Sequence, residues 1–131
     1  MTLEALNEHL ALRQELARDR EILMSLETRA VPGAQALTGM PHAPGVVAKV
    51  EIFAVEIADF KSRIEELEAE IAEDEKKIEA WISTVSPDWV RLVFRLRFIH
   101  GLQWKEVAYM LGGNYTEDGV RQMCYRYLLV S

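Results

Sequence analysis

Residues 86–128 read SPDWVRLVFRLRFIHGLQWKEVAYMLGGNYTEDGVRQMCYRYL, a run of helix starts, glycine stops and apolar stripes. Ser86-Pro87-Asp88 has the form of a helix start: serine as N-cap, proline in the first helical position, an acid in the first turn. The helix it opens is expected to run to about Ile99 and to close on Gly101, which can take a left-handed cap. Trp104, Val107, Ala108 and Leu111 then recur at i, i+3, i+4 and i+7, the spacing of one helix face. Gly112-Gly113 stops that helix. Thr116 is placed to cap the next one, with Glu117 and Asp118 in its first turn. On the last helix Val120, Met123, Cys124, Tyr127 and Leu128 share one face. Two short amphipathic helices around a glycine turn, with small Ala108 at their crossing, predict a helix-turn-helix inside a three-helix domain over residues 87–131.

The opposite face of the last helix carries Asp118, Arg121, Gln122, Tyr125 and Arg126, with Thr116 at its start. Arginine can bond a guanine edge with two donors, and glutamine can do the same to adenine. Tyr125 and Arg126 are placed to reach phosphates. Asp118 either accepts from a cytosine amino group or orients Arg121, three residues on. These six residues are the candidate contacts to double-stranded DNA. The alternative for the same pattern is an ordinary solvated helix face.

Upstream, residues 46–86 contain no glycine or proline. Val46, Val50, Phe53, Ile57, Phe60, Ile64, Leu67, Ile71, Asp74, Ile78, Trp81 and Val85 alternate four and three apart, and all but Asp74 are apolar. A sustained period of about 3.5 residues is the pattern of a coiled coil. It predicts a homo-oligomer, most simply a dimer, joined through Val50, Phe53, Ile57, Phe60, Ile64, Leu67, Ile71 and Ile78. Residues 2–28 also lack glycine and proline and carry a broad leucine face. They predict a first helix that folds back along the second as an antiparallel hairpin, with Leu3 near Asp74 and the 74–85 stretch projecting beyond. Asp74 is then either partly solvated at the open end of the seam or a register device near the positive N-terminus of the first helix. Six of the chain's eleven glycines and prolines fall in residues 30–45, which predicts a loop there and makes it the expected soft point.

Composition narrows the classes. The chain has 131 residues, half of them apolar and 27% charged, which suits a folded protein of one or two small domains. Residues 1–86 hold 9 Lys and Arg against 17 Asp and Glu, a net of −8, while residues 87–131 hold 6 against 4, a net of +2. Such an acidic chain is no general nucleic-acid binder, so DNA contact is expected only from the C-terminal third. The single cysteine, Cys124, excludes an internal disulfide and suits a reducing cytoplasm. No apolar run approaches the roughly 18 residues of a membrane span, and the start lacks the pattern of a signal peptide. His9, His42 and His100 have no cysteine or histidine at ligand spacing, so no metal is expected. No nucleophile–base pair and no phosphate-binding glycine loop stand out, so neither an enzyme nor a cofactor is expected.

The stretch RLRFIHGLQWKEVAYMLGGNYTEDGVRQM resembles region 4 of the sigma factors of bacterial RNA polymerase, which reads a promoter element with a helix-turn-helix. Arg95-Leu96-Arg97-Phe98 is similar to that family's arginine–hydrophobic–arginine–phenylalanine helix end. Trp104-Lys105-Glu106-Val107-Ala108 is similar to its first helix-turn-helix helix. Thr116 to Met123 is similar to the start of its recognition helix, and the resemblance puts Asp118, Arg121 and Gln122 on DNA-contacting positions. Glu117 and Gly119 depart from it, standing where the family has basic residues. Gln103 replaces the usual Ser or Thr cap, and the turn is longer.

The whole order of elements, including Gly39-Met40-Pro41-His42 in the loop, is similar to small phage-encoded sigma-like regulators. The resemblance implies a regulator of phage or prophage origin that reads DNA and touches RNA polymerase. Nothing matches the sigma region that opens promoter DNA. Two other functions fit the same pair of parts, although packaging subunits more often carry the DNA-binding unit before the coil, the reverse of this order. One is a small terminase-type DNA-packaging protein. The other is a sigma-like protein that binds RNA polymerase without reading DNA.

Overall fold

The computed structural model describes residues 1–30 and 44–130, with side chains described for 1–29 and 53–130. The described residues form an all-helical protein: α1 (Leu3–Ala30), α2 (Pro44–Ile82), α3 (Asp88–Phe94) running on through a π-helical turn (Arg95–Ile99), α4 (Trp104–Leu111) and α5 (Glu117–Val130). No helix among them is long and apolar enough to cross a membrane. The expected loop at 30–45 lies almost wholly outside the described residues. α2 is already formed at Pro44, two residues before the expected start.

The chain divides into two compact units: Met1–Arg13 with Glu70–Ser131, and Gln14–Ala69. A boundary at 86/87, read from Ser86-Pro87, does not coincide with this division. The reason is one continuous core in the first unit. Leu6 and Leu10 of α1 and Ile78 and Ile82 of α2 are buried in the same cluster as Val90, Val93, Phe94, Phe98, Trp104, Val107, Ala108, Val120 and Cys124. Phe94 anchors it. Trp81 meets the Phe94 ring edge-on at 5.0 Å, and Phe98 stacks on it at 6.0 Å. Each such fully buried side chain stabilises the fold by roughly 1.5–3 kcal/mol.

This core also sets the register between the two long helices in the first unit. His9, not Leu3, faces Asp74, with Nδ1 3.8 Å from Oδ2. Arg13 pairs with Glu75 at 2.5 Å. The expected register is therefore displaced by six residues, counted from Leu3 to His9. Sliding α1 this way places Leu6 and Leu10 in the cluster with Ile78 and Ile82 and covers a stretch that the expected register leaves bare. Asp74 itself is partly solvated, as in the first of the two alternatives for it, but it lies beside His9 and not at an open end of the seam.

α2 ends at Ile82 rather than near residue 86. Ser83 and Thr84 donate their hydroxyls to the Ala80 and Trp81 carbonyls at 2.7 and 2.6 Å, and the Thr84 and Val85 amides bond three residues back. Short side chains that compete for backbone carbonyls tighten and stop a helix end. Val85 lies beyond the helix yet is fully buried. α3 then begins on Pro87, not Ser86. Pro87 has extended geometry (φ −75°, ψ 178°), and its carbonyl accepts from the amides of Val90 and Arg91. Its far end closes as expected: Gly101 takes φ +72°, and the Leu102 amide donates to the Leu96 carbonyl.

In the second unit Leu16, Ile64 and Leu67 are buried. Arg20 pairs with Glu68 at 3.0 Å, and Arg63 lies 3.9 Å from buried Asp19 and over the Phe60 ring. Of the residues expected to join subunits, Ile64 and Leu67 here and Ile71 and Ile78 in the first unit are buried within one chain. Phe53, Ile57 and Phe60 are half-buried, and the Val50 side chain lies outside the described ones. Much of the apolar seam is thus covered without a second subunit, because α1 runs beside α2.

Candidate nucleic-acid interface

Local chemistry fixes the ends of α4 and α5. The Gln103 amide donates to Glu106 Oε1 at 3.1 Å, so glutamine does start α4, with the glutamate three residues on closing back on it. Gly112 takes φ +70° where α4 ends, and Gly113 φ +62° in the turn. Both backbones occupy the left-handed region that a side chain disfavours. Thr116 caps α5: its Oγ1 accepts from the Gly119 amide at 3.0 Å. A Cβ at residue 119 would lie 2.9 Å from that hydroxyl, so glycine there keeps the cap undisturbed.

α5 is anchored on its inner side by Val120 and Cys124, both buried, with Met123, Tyr127 and Leu128 half-buried around them. Burial pushes the Cys124 thiol up to about 12, which makes it a packing group with no nucleophilic character. The expected contact residues divide into two groups. Thr116, Asp118, Gln122 and Arg126 are exposed, and Arg121 is partly so. Asp118 and Arg121 form an ion pair. Tyr125 is half-buried and leans edge-on against Trp104 at 6.4 Å, so it belongs to the wall of the core more than to the outer face.

Arg97 carries a role that its place in the sequence did not reveal. It lies 5.1 Å over the Trp104 ring and donates Nη1 to the Leu102 carbonyl at 2.8 Å. Burial lowers its pKa, and the nearby Tyr125 partly opposes this. The side chain ties the π-helical turn to the start of α4, one strut of the scaffold beneath α5. The only sequence signal for it is its position in the Arg95–Phe98 motif.

The electrostatics of the pair α4–α5 are balanced. Residues 104–130 hold three bases (Lys105, Arg121, Arg126) and three acids (Glu106, Glu117, Asp118). Attraction to phosphate is therefore weak, and any preference must come from specific contacts by a few side chains.

Beside this face lies a shallow hollow lined by Lys105, Ala108, Tyr109, Gly112, Gly113, Tyr115 and Glu117. Tyr115 packs against Trp89 at 5.6 Å, and both rings are exposed. Tyr109 is 85% exposed, and Leu92 lies open one turn from Trp89. The sequence pattern offered no sign of this aromatic surface, since Trp89, Leu92 and Tyr109 fall off the apolar stripes of their helices and Tyr115 lies in the turn before α5. Among the described residues no group of three or more His, Cys, Asp or Glu is placed to hold a metal ion. No family model, no curated protein and no solved structure matches this chain.

Proposed function

We propose that this protein is a sequence-specific DNA-binding transcription regulator of the phage-encoded, sigma-like kind. In this reading α4 and α5 act as a helix-turn-helix and α5 enters the major groove. The N-terminal helices act as a hairpin that assembles copies of the chain, most simply two. The carrying observation is the outer face of α5, where Arg121, held by Asp118, stands next to exposed Gln122 on a helix anchored by Val120 and Cys124. A two-donor arginine beside a glutamine is suited to base edges, and Arg126 one turn on is suited to a phosphate.

The test is selection of bound duplexes from a random library, followed by titration on the selected site and on random DNA. Arg121→Ala should weaken the selected site by about 1–3 kcal/mol and relax preference at one or two base pairs. Arg126→Ala should weaken all sequences alike and lower the salt dependence by about one phosphate. Glu117→Arg should tighten binding, chiefly at low salt. Unchanged affinities in both alanine variants sink the reading.

A second reading is favoured by the exposed Trp89, Leu92, Tyr109 and Tyr115. Large apolar groups left in water often mark a surface for another protein. Here the domain docks on RNA polymerase without reading DNA. Loss of polymerase capture in Trp89→Ala and Tyr109→Ala, with DNA affinity absent in the wild type, distinguishes it.

A further inference from the structure

The first unit holds a buried histidine that the functional reading does not use. The His9 side chain is fully buried between α1 and α2, and neither ring nitrogen has a hydrogen-bond partner. Two carboxylates stand beside it, Asp74 Oδ2 at 3.8 Å from Nδ1 and Glu75 Oε1 at 3.8 Å from Nε2. Neither is close enough to bond. Glu75 Oε1 is already held by Arg13 Nη1 at 2.5 Å, and the arginine's charge opposes the pull of Glu75 on a proton. Asp74 is partly solvated, so water screens it. The charged groups acting on the ring are therefore Arg13 from α1 and Asp74 and Glu75 from α2. Among the described residues none comes from α3, the π-helical turn, α4 or α5.

We propose that His9 is a proton-operated latch for the start of α1. With the ring neutral, α1 up to Arg13 seats on the end of α2, with Leu6 and Leu10 in the same core as Ile78 and Ile82. A neutral ring leaves one donor and one acceptor unmet; a protonated ring would put two donors and a full charge at the same buried position, with the two facing carboxylates at 3.8 Å too distant to bond them, which is worse. Proton uptake is therefore relieved by lifting α1 away, which exposes the leucines and the isoleucines beneath them. The direction of titration agrees: burial is the largest influence on His9 and lowers its pKa below 6.5, outweighing the two acids. A lowered value in the folded state means that the stabilisation is full above the unfolded value of ~6.5 and is lost as pH falls below it.

The test uses the full chain. Histidine ring nitrogens are followed by NMR from pH 7.5 to 5, with His9 assigned by its loss in His9→Met. Amide exchange of residues 6–13, corrected for intrinsic rate, is followed over the same range. The expected result is a His9 ring that stays neutral below the ordinary value, with opening of residues 6–13 rising by up to about tenfold per pH unit below ~6.5. In His9→Met that pH dependence vanishes down to about pH 5.5, where carboxylates begin to titrate. Asp74→Asn, a change at a partly solvated position, removes a group that favours the proton and should carry the wild-type dependence to lower pH. A ring that titrates at or above the ordinary value while α1 stays protected, or protection that is flat with pH in the wild type, overturns the proposal.

Discussion

Asp118 and Arg121 are joined by an ion pair across the first turn of α5. Both side chains are more than a third exposed, so the pair contributes little to stability, at most about 1 kcal/mol. Its effect is positional: it narrows the range of directions in which Arg121 can point. Asp118→Ala should leave the urea midpoint nearly unchanged. Under the proposed DNA-binding function it should raise affinity for random duplex, because an acid is removed from the face of α5 proposed to meet DNA. It should also lower the ratio of selected-site to random affinity, because Arg121 is freed. An equal gain on both duplexes means that Asp118 acts through charge alone.

Arg97 links the π-helical turn to α4 through the Trp104 ring and the Leu102 carbonyl. Arg97→Ala removes a cation over an indole and a charged donor to a carbonyl. The expected loss is about 1–3 kcal/mol by urea unfolding, with a changed tryptophan signal in near-ultraviolet circular dichroism. Arg97→Lys should recover only part of it, because an ammonium lacks the flat fork that spans both partners. Full recovery by lysine would show that charge alone matters there.

Cys124 reports on opening of the first unit. It is fully buried and its thiol is shifted from 9.0 to about 12. A thiol reagent should react slowly with the native protein and speed up with urea in step with unfolding. Fast labelling without denaturant would show that α5 opens locally. Because the folded value lies above the unfolded one, the group's contribution is complete below pH 9.0 and is lost as pH rises towards about 12. Cys124→Ala should flatten that part of the stability profile.

Self-association has to be tested at exposed positions. Ile64 and Leu67 are buried within one chain, so aspartate at either should unfold the second unit. Met24 and Val55 are each 71% exposed, and Ile22 is also open. Met24→Asp and Val55→Asp should leave helix content intact and lower the mass measured by light scattering. A wild-type monomer at micromolar concentration, or a mass indifferent to both changes, removes the homo-oligomer from the proposed function.

Several elements were legible without any structure because their causes lie within a few residues. Thr116 caps α5, Gly101 ends the π-helical turn and Gly112 ends α4, each through contacts no more than about one turn away. The inner stripe from Val120 to Leu128 followed from helix period alone. The exposed positions of Asp118, Gln122 and Arg126 followed as its complement. The local reading failed where two local causes compete. Ser86-Pro87 resembles a helix start, yet Ser83 and Thr84 end α2 before it and Pro87 takes the cap.

The set of helices, most of their ends and the two faces of α5 depend on backbone geometry and nearest neighbours, and so were readable from the residues alone. Which leucines meet which isoleucines emerged from long-range packing. The heptad pattern of α2 fits many partners and several registers, since apolar contact is non-directional. The register is chosen by the whole core at once: Leu6 and Leu10 gain Ile78 and Ile82, and that choice places His9 beside Asp74 and Glu75. Packing between helices turned Tyr125 towards Trp104 and set Arg97 over the indole, because an aromatic wall is assembled from several elements at once.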